Sequence, residues 1–270
     1  MKLSFMTFAC PQWTFDEVVD AARRHRYQGI EFRCDAKHDH GVEVFCGKDE
    51  RKQFRQKLEA YDLEACCLAT SLRFADEQAI AEAPERLELA AAIGCPALRV
   101  FCGPKPPGVE SMEQLIPIVA RNLAQVAELA EHHHVKLWLE THDTFCRAAD
   151  AAAAVRMANH PFVGLNYDNM HPFRHGEPLE TTFAEIGGLV QHCHFHDAMN
   201  KPDKVIITPV AKGEMPMDEM FAALVKLGYD GYVSGEWFND QYGKTPDDSL
   251  AQFHEDMTTL AERHGVRMGA

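Results

Sequence analysis

The run Val190-Gln191-His192-Cys193-His194-Phe195-His196-Asp197 places three histidines two residues apart. Side chains at i, i+2 and i+4 of a β-strand share one face, so His192, His194 and His196 would project together, with Asp197 just beyond them. Imidazole is a common ligand for transition metals, and a row of three beside a carboxylate reads as a cation site. The ordinary alternative is a histidine-rich edge strand facing solvent.

Three other predicted strands end in polar residues: Trp138-Leu139-Glu140-Thr141-His142-Asp143, Asn166-Tyr167-Asp168-Asn169-Met170-His171 and Ser234-Gly235-Glu236-Trp237. Singly, each has a bland explanation in loop or turn chemistry. Together they put a Glu, an Asp, a His and a Glu at the ends of four consecutive strands. Three carboxylates and one imidazole, Glu140, Asp168, His194 and Glu236, suit one divalent ion: Mn²⁺, Mg²⁺ or Co²⁺, or Zn²⁺ in a non-structural role. Cysteine is absent from the set, which argues against a structural zinc site.

The elements that must position these residues alternate along the chain. Lys2 to Phe8 is an apolar run suited to a buried strand. Thr14 and Glu17 form a capping-box pattern opening a helix from Phe15 to Tyr27, which would bury Val18, Ala21, Ala22 and His25 and stop at Gly29. Helical patterns follow over 48–60, 80–93, 112–133, 148–158, 181–186, 217–226 and 250–264. Strands start near residues 2, 30, 64, 97, 135, 163, 190 and 232. This alternation implies a parallel sheet, and eight units fit a closed (β/α)₈ TIM barrel occupying 1–270 as one domain. A doubly wound open sheet is the other architecture of this pattern, but no Gly-rich phosphate loop follows the first strand. In a barrel the strand C-termini share one rim, where active sites are built.

Composition agrees with a single barrel domain. The 270 residues are 46% hydrophobic, and no linker or low-complexity run divides them. No apolar run approaches the ~20 residues that a membrane span needs. The N-terminal residues turn polar too quickly for a signal peptide. Nine cysteines in apolar contexts, without a CxxC pair, read as reduced thiols in a cytoplasmic protein. A net charge of −14 argues against nucleic-acid partners.

At Leu139-Glu140-Thr141-His142, Asp168-Asn169-Met170-His171, His192 to Asp197 and Gly228 to Glu236, the chain resembles the xylose isomerase-like barrel superfamily, in particular its sugar phosphate isomerase/epimerase group. The resemblance covers essentially the whole chain. It implies that Glu140, Asp168, His194 and Glu236 bind one metal, and that Glu140 and Glu236 are catalytic, moving a proton on either face of a keto-polyol through a metal-bound enediolate. The family's substrate-contacting histidine matches His171. His196 stands where lysine is usual. His142, His192, Arg33, Arg73 and Arg99 are further candidates near the rim, the arginines for a carboxylate or phosphate, and Trp13, Trp237 and Phe238 are candidates to pack against a sugar face. The His132-His133-His134 run falls at the opposite rim. Group members are often dimers or tetramers, so a homo-oligomer acting on a small polar substrate is the expectation.

The sequence also departs from the ketohexose 3-epimerases of the group: Asn200 replaces their substrate-binding Arg and Cys146 their second Glu. A dehydratase of the inosose or dehydroshikimate kind is the rival enzyme. An endonuclease IV-like enzyme would need histidines on strands three and four and an Asp-x-His after strand seven. Strands three and four carry none, and Ile207-Thr208-Pro209 offers no such motif. A barrel that senses a metal-bound sugar acid without turnover is the non-enzymatic reading.

Overall fold

Eight short strands, rich in apolar and β-branched residues, each find a parallel neighbour on both sides. The computed structural model describes residues 1–201, 204–238, 241–242 and 245–269. In chain order the elements are β1 (Lys2–Met6), α1 (Phe15–Arg24), β2 (Gly29–Arg33), α2 (Lys48–Ala60), β3 (Glu64–Arg73), α3 (Gln78–Ile93), β4 (Ala97–Phe101), α4 (Met112–His132) and β5 (Lys136–Glu140). Then come α5 (Ala148–Ala158), β6 (Val163–Asp168), α6 (Met170–Arg174), α7 (Leu179–Ile186), β7 (Val190–Phe195), β8 (Asp197–Lys201), β9 (Lys204–Thr208), α8 (Met217–Lys226), β10 (Tyr232–Gly235) and α9 (Pro246–Arg263). Going round the sheet, the order β1-β10-β7-β6-β5-β4-β3-β2 closes on itself, so the fold is a (β/α)₈ TIM barrel. The open-sheet alternative is excluded. Among the described residues, no helix is long and apolar enough to cross a membrane, and all nine cysteines are free and buried.

Two layers of apolar packing hold the barrel. Outside the sheet, each helix buries one stripe, as α4 does with Leu115, Val119, Leu123, Val126 and Ala130. Inside it, Cys66, Cys67, Ala97, Trp138 and Tyr232 fill the end nearer the strand N-termini. His192 stacks on Trp138, with ring centroids 5.3 Å apart and planes at 11°. This plug is the floor on which the polar residues nearer the rim rest.

All eight barrel strands lie where the sequence places them, and three local expectations change. Helix α1 ends at Arg24 rather than Tyr27. Arg26 adopts the left-handed conformation (φ 60°), and Tyr27 N–H donates to the Ala22 carbonyl at 2.9 Å, closing a Schellman-type cap without a glycine. Second, His25 is only half-buried, and its ring lies 2.9 Å from Asp247 at the start of α9. Third, the segment after β7, which the strand-helix alternation leaves without an element, forms two further strands. β8 and β9 pair antiparallel as a hairpin outside the barrel, with the Val205-Ile206-Ile207-Thr208 run supplying strand-favouring side chains.

Gly29 opens β2 for steric reasons instead of ending α1. A Cβ there would lie 2.5 Å from the Tyr232 ring and 3.0 Å from the Cys66 side chain. Gly29→Ala is therefore expected to overpack the barrel floor and to cost about 1–3 kcal/mol. Urea unfolding measures this, and an unchanged midpoint would contradict the packing described.

Candidate active site

Register places the polar residues. His194 on β7 pairs with Asp168 on β6 and with Ser234 on β10, while Glu140 on β5 pairs with Asn166. Inward-facing positions on β5, β6, β7 and the residue just past β10 therefore converge at one rim. One donor atom from each of Glu140, Asp168, His194 and Glu236 lies within 4.8 Å of every other. His194 Nδ1 is 2.7 Å from Glu140 Oε1 and 2.9 Å from Glu236 Oε2. The first three residues are buried, and the Glu236 side chain is 20% exposed.

Local structure fixes each of them. Asp168 Oδ1 accepts the Met170 N–H at 2.7 Å and the His171 N–H at 3.3 Å, anchoring the start of α6 and leaving Oδ2 free. Asn169 clamps the end of β7. Its Oδ1 accepts the His196 N–H at 3.1 Å, and its Nδ2 donates to the His196 carbonyl at 3.0 Å. Gly235 lets the chain turn tightly over Phe253, a Cβ there lying 2.8 Å from that ring, before Glu236.

Sequence reasoning missed Glu31. Its carboxylate lies 3.0 Å from His194 Nε2 through one oxygen and 3.0 Å from His192 Nε2 through the other. Since a carboxylate accepts, both Nε2 atoms donate to Glu31, and Nδ1 of His194 is the ring nitrogen that faces Glu140 and Glu236. A carboxylate that fixes a histidine tautomer in this way is a recurrent support for metal-binding imidazoles. The sequence signal was slight: in Gly29-Ile30-Glu31-Phe32-Arg33, Glu31 is a lone acid between two apolar residues, with nothing to name its partners.

The electrostatics follow from this crowding. Burial disfavours charge on His194, but Glu31, Glu236 and Glu140 overcome it and raise its pKa well above the usual value. Burial likewise works against ionised Glu140, yet His194 and Arg99 draw its pKa down to about 2. Asp168 is held low against burial by His196 and His171. Arg99 Nε lies 3.4 Å from Glu140 Oε2. Glu140 Oε2 and Asp168 Oδ2 are buried and have no hydrogen-bond partner among the described residues. Buried acceptor oxygens beside an imidazole nitrogen form a donor set that fits a hard or borderline divalent cation.

Above the cluster opens a cavity of about 440 Å³. The expected rim residues His142, His171, His196, Arg33, Arg99, Trp237 and Phe238 line it. The His142 and His171 rings are 4.3 Å apart. His196 Nδ1 donates to the Glu236 carbonyl at 2.8 Å, and its Nε2 lies 3.4 Å from Asp168. Phe8, Phe101, Val205 and Ile207, which the sequence reading did not single out, also form its wall.

Other candidates fall elsewhere. Trp13 does not line this cavity; it is half-buried against the hydrophobic core. Its position after β1 says nothing of which way the side chain turns. Arg73 lines a separate, larger cavity of about 620 Å³ that contains none of the four clustered residues. Asp197 also stands apart, accepting N–H groups from Ala198, Gly213 and Met215. His132 and His133 end α4, as expected of the opposite rim. Lys201 Nζ lies 4.0 Å from Glu214, and the Asn200 side chain lies outside the described residues.

The comparisons agree with the closed parallel α/β barrel. Residues 19–263 match the Xylose isomerase-like TIM barrel family, so the chain belongs to it. A fructoselysine 3-epimerase of Escherichia coli O157:H7 is 28% identical over 123 residues, 44% of this chain and 44% of that protein. The chain thus matches less than half the length of that relative. An inosose isomerase of Bacillus velezensis is 25% identical over 168 residues, 57% of this chain and 59% of its own. Among solved structures, that of the IOLI protein with a bound zinc atom superposes with a TM-score of 0.84 at 18% identity. It covers 97% of this chain and 99% of the other, a likeness of fold.

Asn169→Ala would leave both backbone groups of His196 without their partners in a buried setting. Its expected cost is about 2–4 kcal/mol, taking one to two kcal/mol for each stranded group. Denaturant unfolding tests it, and a loss below the error of that measurement would show that the clamp is dispensable.

Proposed function

We propose that this barrel is a divalent-metal-dependent isomerase or epimerase of a sugar or related keto-polyol, with Glu140, Asp168, His194 and Glu236 as the metal ligands. The observation carrying this reading is the convergence of those four donors within 4.8 Å at the catalytic rim. Similarity to a fructoselysine 3-epimerase and an inosose isomerase supports it. When bound, a divalent ion supplies Lewis-acid polarisation of a ketone oxygen and its neighbouring hydroxyl.

The chain's own residues do the rest. Glu140 and Glu236 come from strands separated by β6 and β7, so they approach the cavity from different sides. One carboxylate takes the hydrogen from the carbon beside the ketone, leaving an enediolate, and the other returns a proton to the opposite face or the adjacent carbon. His142 and His171 sit where they can hold substrate hydroxyls. Trp237, Phe8 and Phe238 offer flat walls to the C–H face of a polyol and exclude water from the exchanging proton.

Incubation with keto-polyols in D₂O tests the reading directly. Deuterium should enter the carbon next to the ketone, and Glu140→Gln or Glu236→Gln should slow that exchange by about 10²–10⁴-fold. A product of unchanged mass identifies an isomerase or epimerase. A product lighter by one water identifies a dehydratase instead, and ligand binding without exchange in any compound identifies a sensor. The role of Glu31 has a separate readout. Glu31→Gln should weaken Mn²⁺ binding, followed by isothermal titration, by about 10–100-fold. Undiminished affinity would show that His194 is oriented without Glu31.

A further inference from the structure

Arg33 ends β2 at the catalytic rim and lines the cavity, yet its side chain is nearly buried, at 9% exposure. Nη1 donates to the Ala69 carbonyl at 2.9 Å and Nη2 to the Ser71 hydroxyl at 2.5 Å, while Nε is buried without a partner. No ion pair to Arg33 is formed among the described residues, and the nearby acids are committed elsewhere. Asp35 pairs with Arg86 at 2.8 Å and accepts the Ser71 N–H. Glu43 accepts the N–H groups of Asp35, Ala36 and Lys37 at 2.7–3.0 Å. Arg99, the other guanidinium of the cavity, lies against Glu140.

We propose that Arg33 is the anion-recognition residue of this cavity and that the substrate is a keto-polyol bearing a carboxylate or phosphate group. The inference rests on the reading of the site as a keto-polyol enzyme. A guanidinium withdrawn from water with no ion pair of its own is costly even with Asp35 and Glu43 nearby, and a ligand oxyanion supplies a direct partner. Burial and the neighbouring Arg99 bring the Arg33 pKa down to about 10, so the group remains a cation at neutral pH. Its guanidinium lies 5.5 Å from the Phe8 ring centroid, which helps hold its plane against the cavity wall. Discrimination is to be expected in a chain of net charge −14, whose general field repels anions. An anion would be retained only where a local cation offsets that field. In the ring of strands, β2 is separated from β5 by β3 and β4, and from β10 by β1. The anionic end of a substrate would therefore lie away from the carbons presented to Glu140 and Glu236.

Metal-loaded protein is titrated calorimetrically with three compounds of equal carbon number: a neutral ketohexose, a ketohexuronate and a ketohexose 6-phosphate. At least one anionic compound should bind about 10- to 100-fold more tightly than the neutral one, and the tighter of the two identifies the anion. In Arg33→Met that preference should collapse to within about threefold, and Arg33→Lys should restore part of it. Equal binding of all three compounds by the unaltered protein overturns the proposal. So does an Arg33→Met variant that weakens neutral and anionic ligands alike, the result expected if Arg33 only ties β2 to β3. Should Arg33→Met fail to fold, the preference of the unaltered protein and its reduction in Arg33→Lys decide the matter. Deuterium exchange in the same samples separates the two readings. Anion preference without exchange sinks the proton-transfer function alone, and exchange without preference sinks the role of Arg33 alone.

Discussion

Four carboxylates, from Glu31, Glu140, Asp168 and Glu236, are gathered around one imidazole inside a closed sheet. Left to themselves they would separate, because like charges repel and each buried ion forfeits several kcal/mol of hydration. The barrel denies them that escape. Each acid sits on or beside a different strand, and ladder hydrogen bonds hold adjacent strands ~4.8 Å apart. Three of them are also tied by further contacts: Glu31 to two histidines, Asp168 to the first N–H groups of α6, and Glu140 to Arg99 and His194. The stability of the apolar layers around them therefore maintains a concentration of negative charge that the local residues alone would disperse.

Much of this was legible from the residues. Alternation of period two assigns His192, His194 and His196 to one face; Asp197, read there as a carboxylate beside them, does not join the cluster. Its carboxylate turns to backbone N–H groups rather than to the clustered donors. Polar residues at the ends of four successive strands pointed to one rim because parallel strands in a barrel all end there. Glu31 was hard to read because its partners lie 161 and 163 residues away, and nothing in its neighbourhood announces them. The hairpin escaped because it lies outside the strand-helix count that identifies the barrel. Trp13 misled because nearness to a rim in sequence does not set the direction of a side chain.

The cavity is divided in character. Its deep side is charged, and its outer wall is apolar through Phe8, Phe101, Val205, Ile207 and Phe238. Apolar walls lower the effective dielectric around the groups beneath them, which strengthens every attraction and repulsion in the cluster. A polyol entering here would trade water for hydrogen bonds at one face and for carbon contacts at the other.

That outer wall depends on the strand that supplies His194. Val205 and Ile207 belong to the β8–β9 hairpin, which begins at Asp197, three residues beyond His194. Asp197 binds the N–H groups of Gly213 and Met215 as well as that of Ala198, so one buried carboxylate fastens both the root of the hairpin and the segment returning from it. Gly213 is required there, since a Cβ would collide with the Ala198 carbonyl oxygen at 2.6 Å. The octapeptide from Val190 to Asp197 thus works in two directions: its three histidines face the charged groups, and its last residue anchors the apolar wall above them. Floor and wall are fixed to one another through a single strand end, so a disturbance of that strand end is transmitted to both sides of any bound substrate.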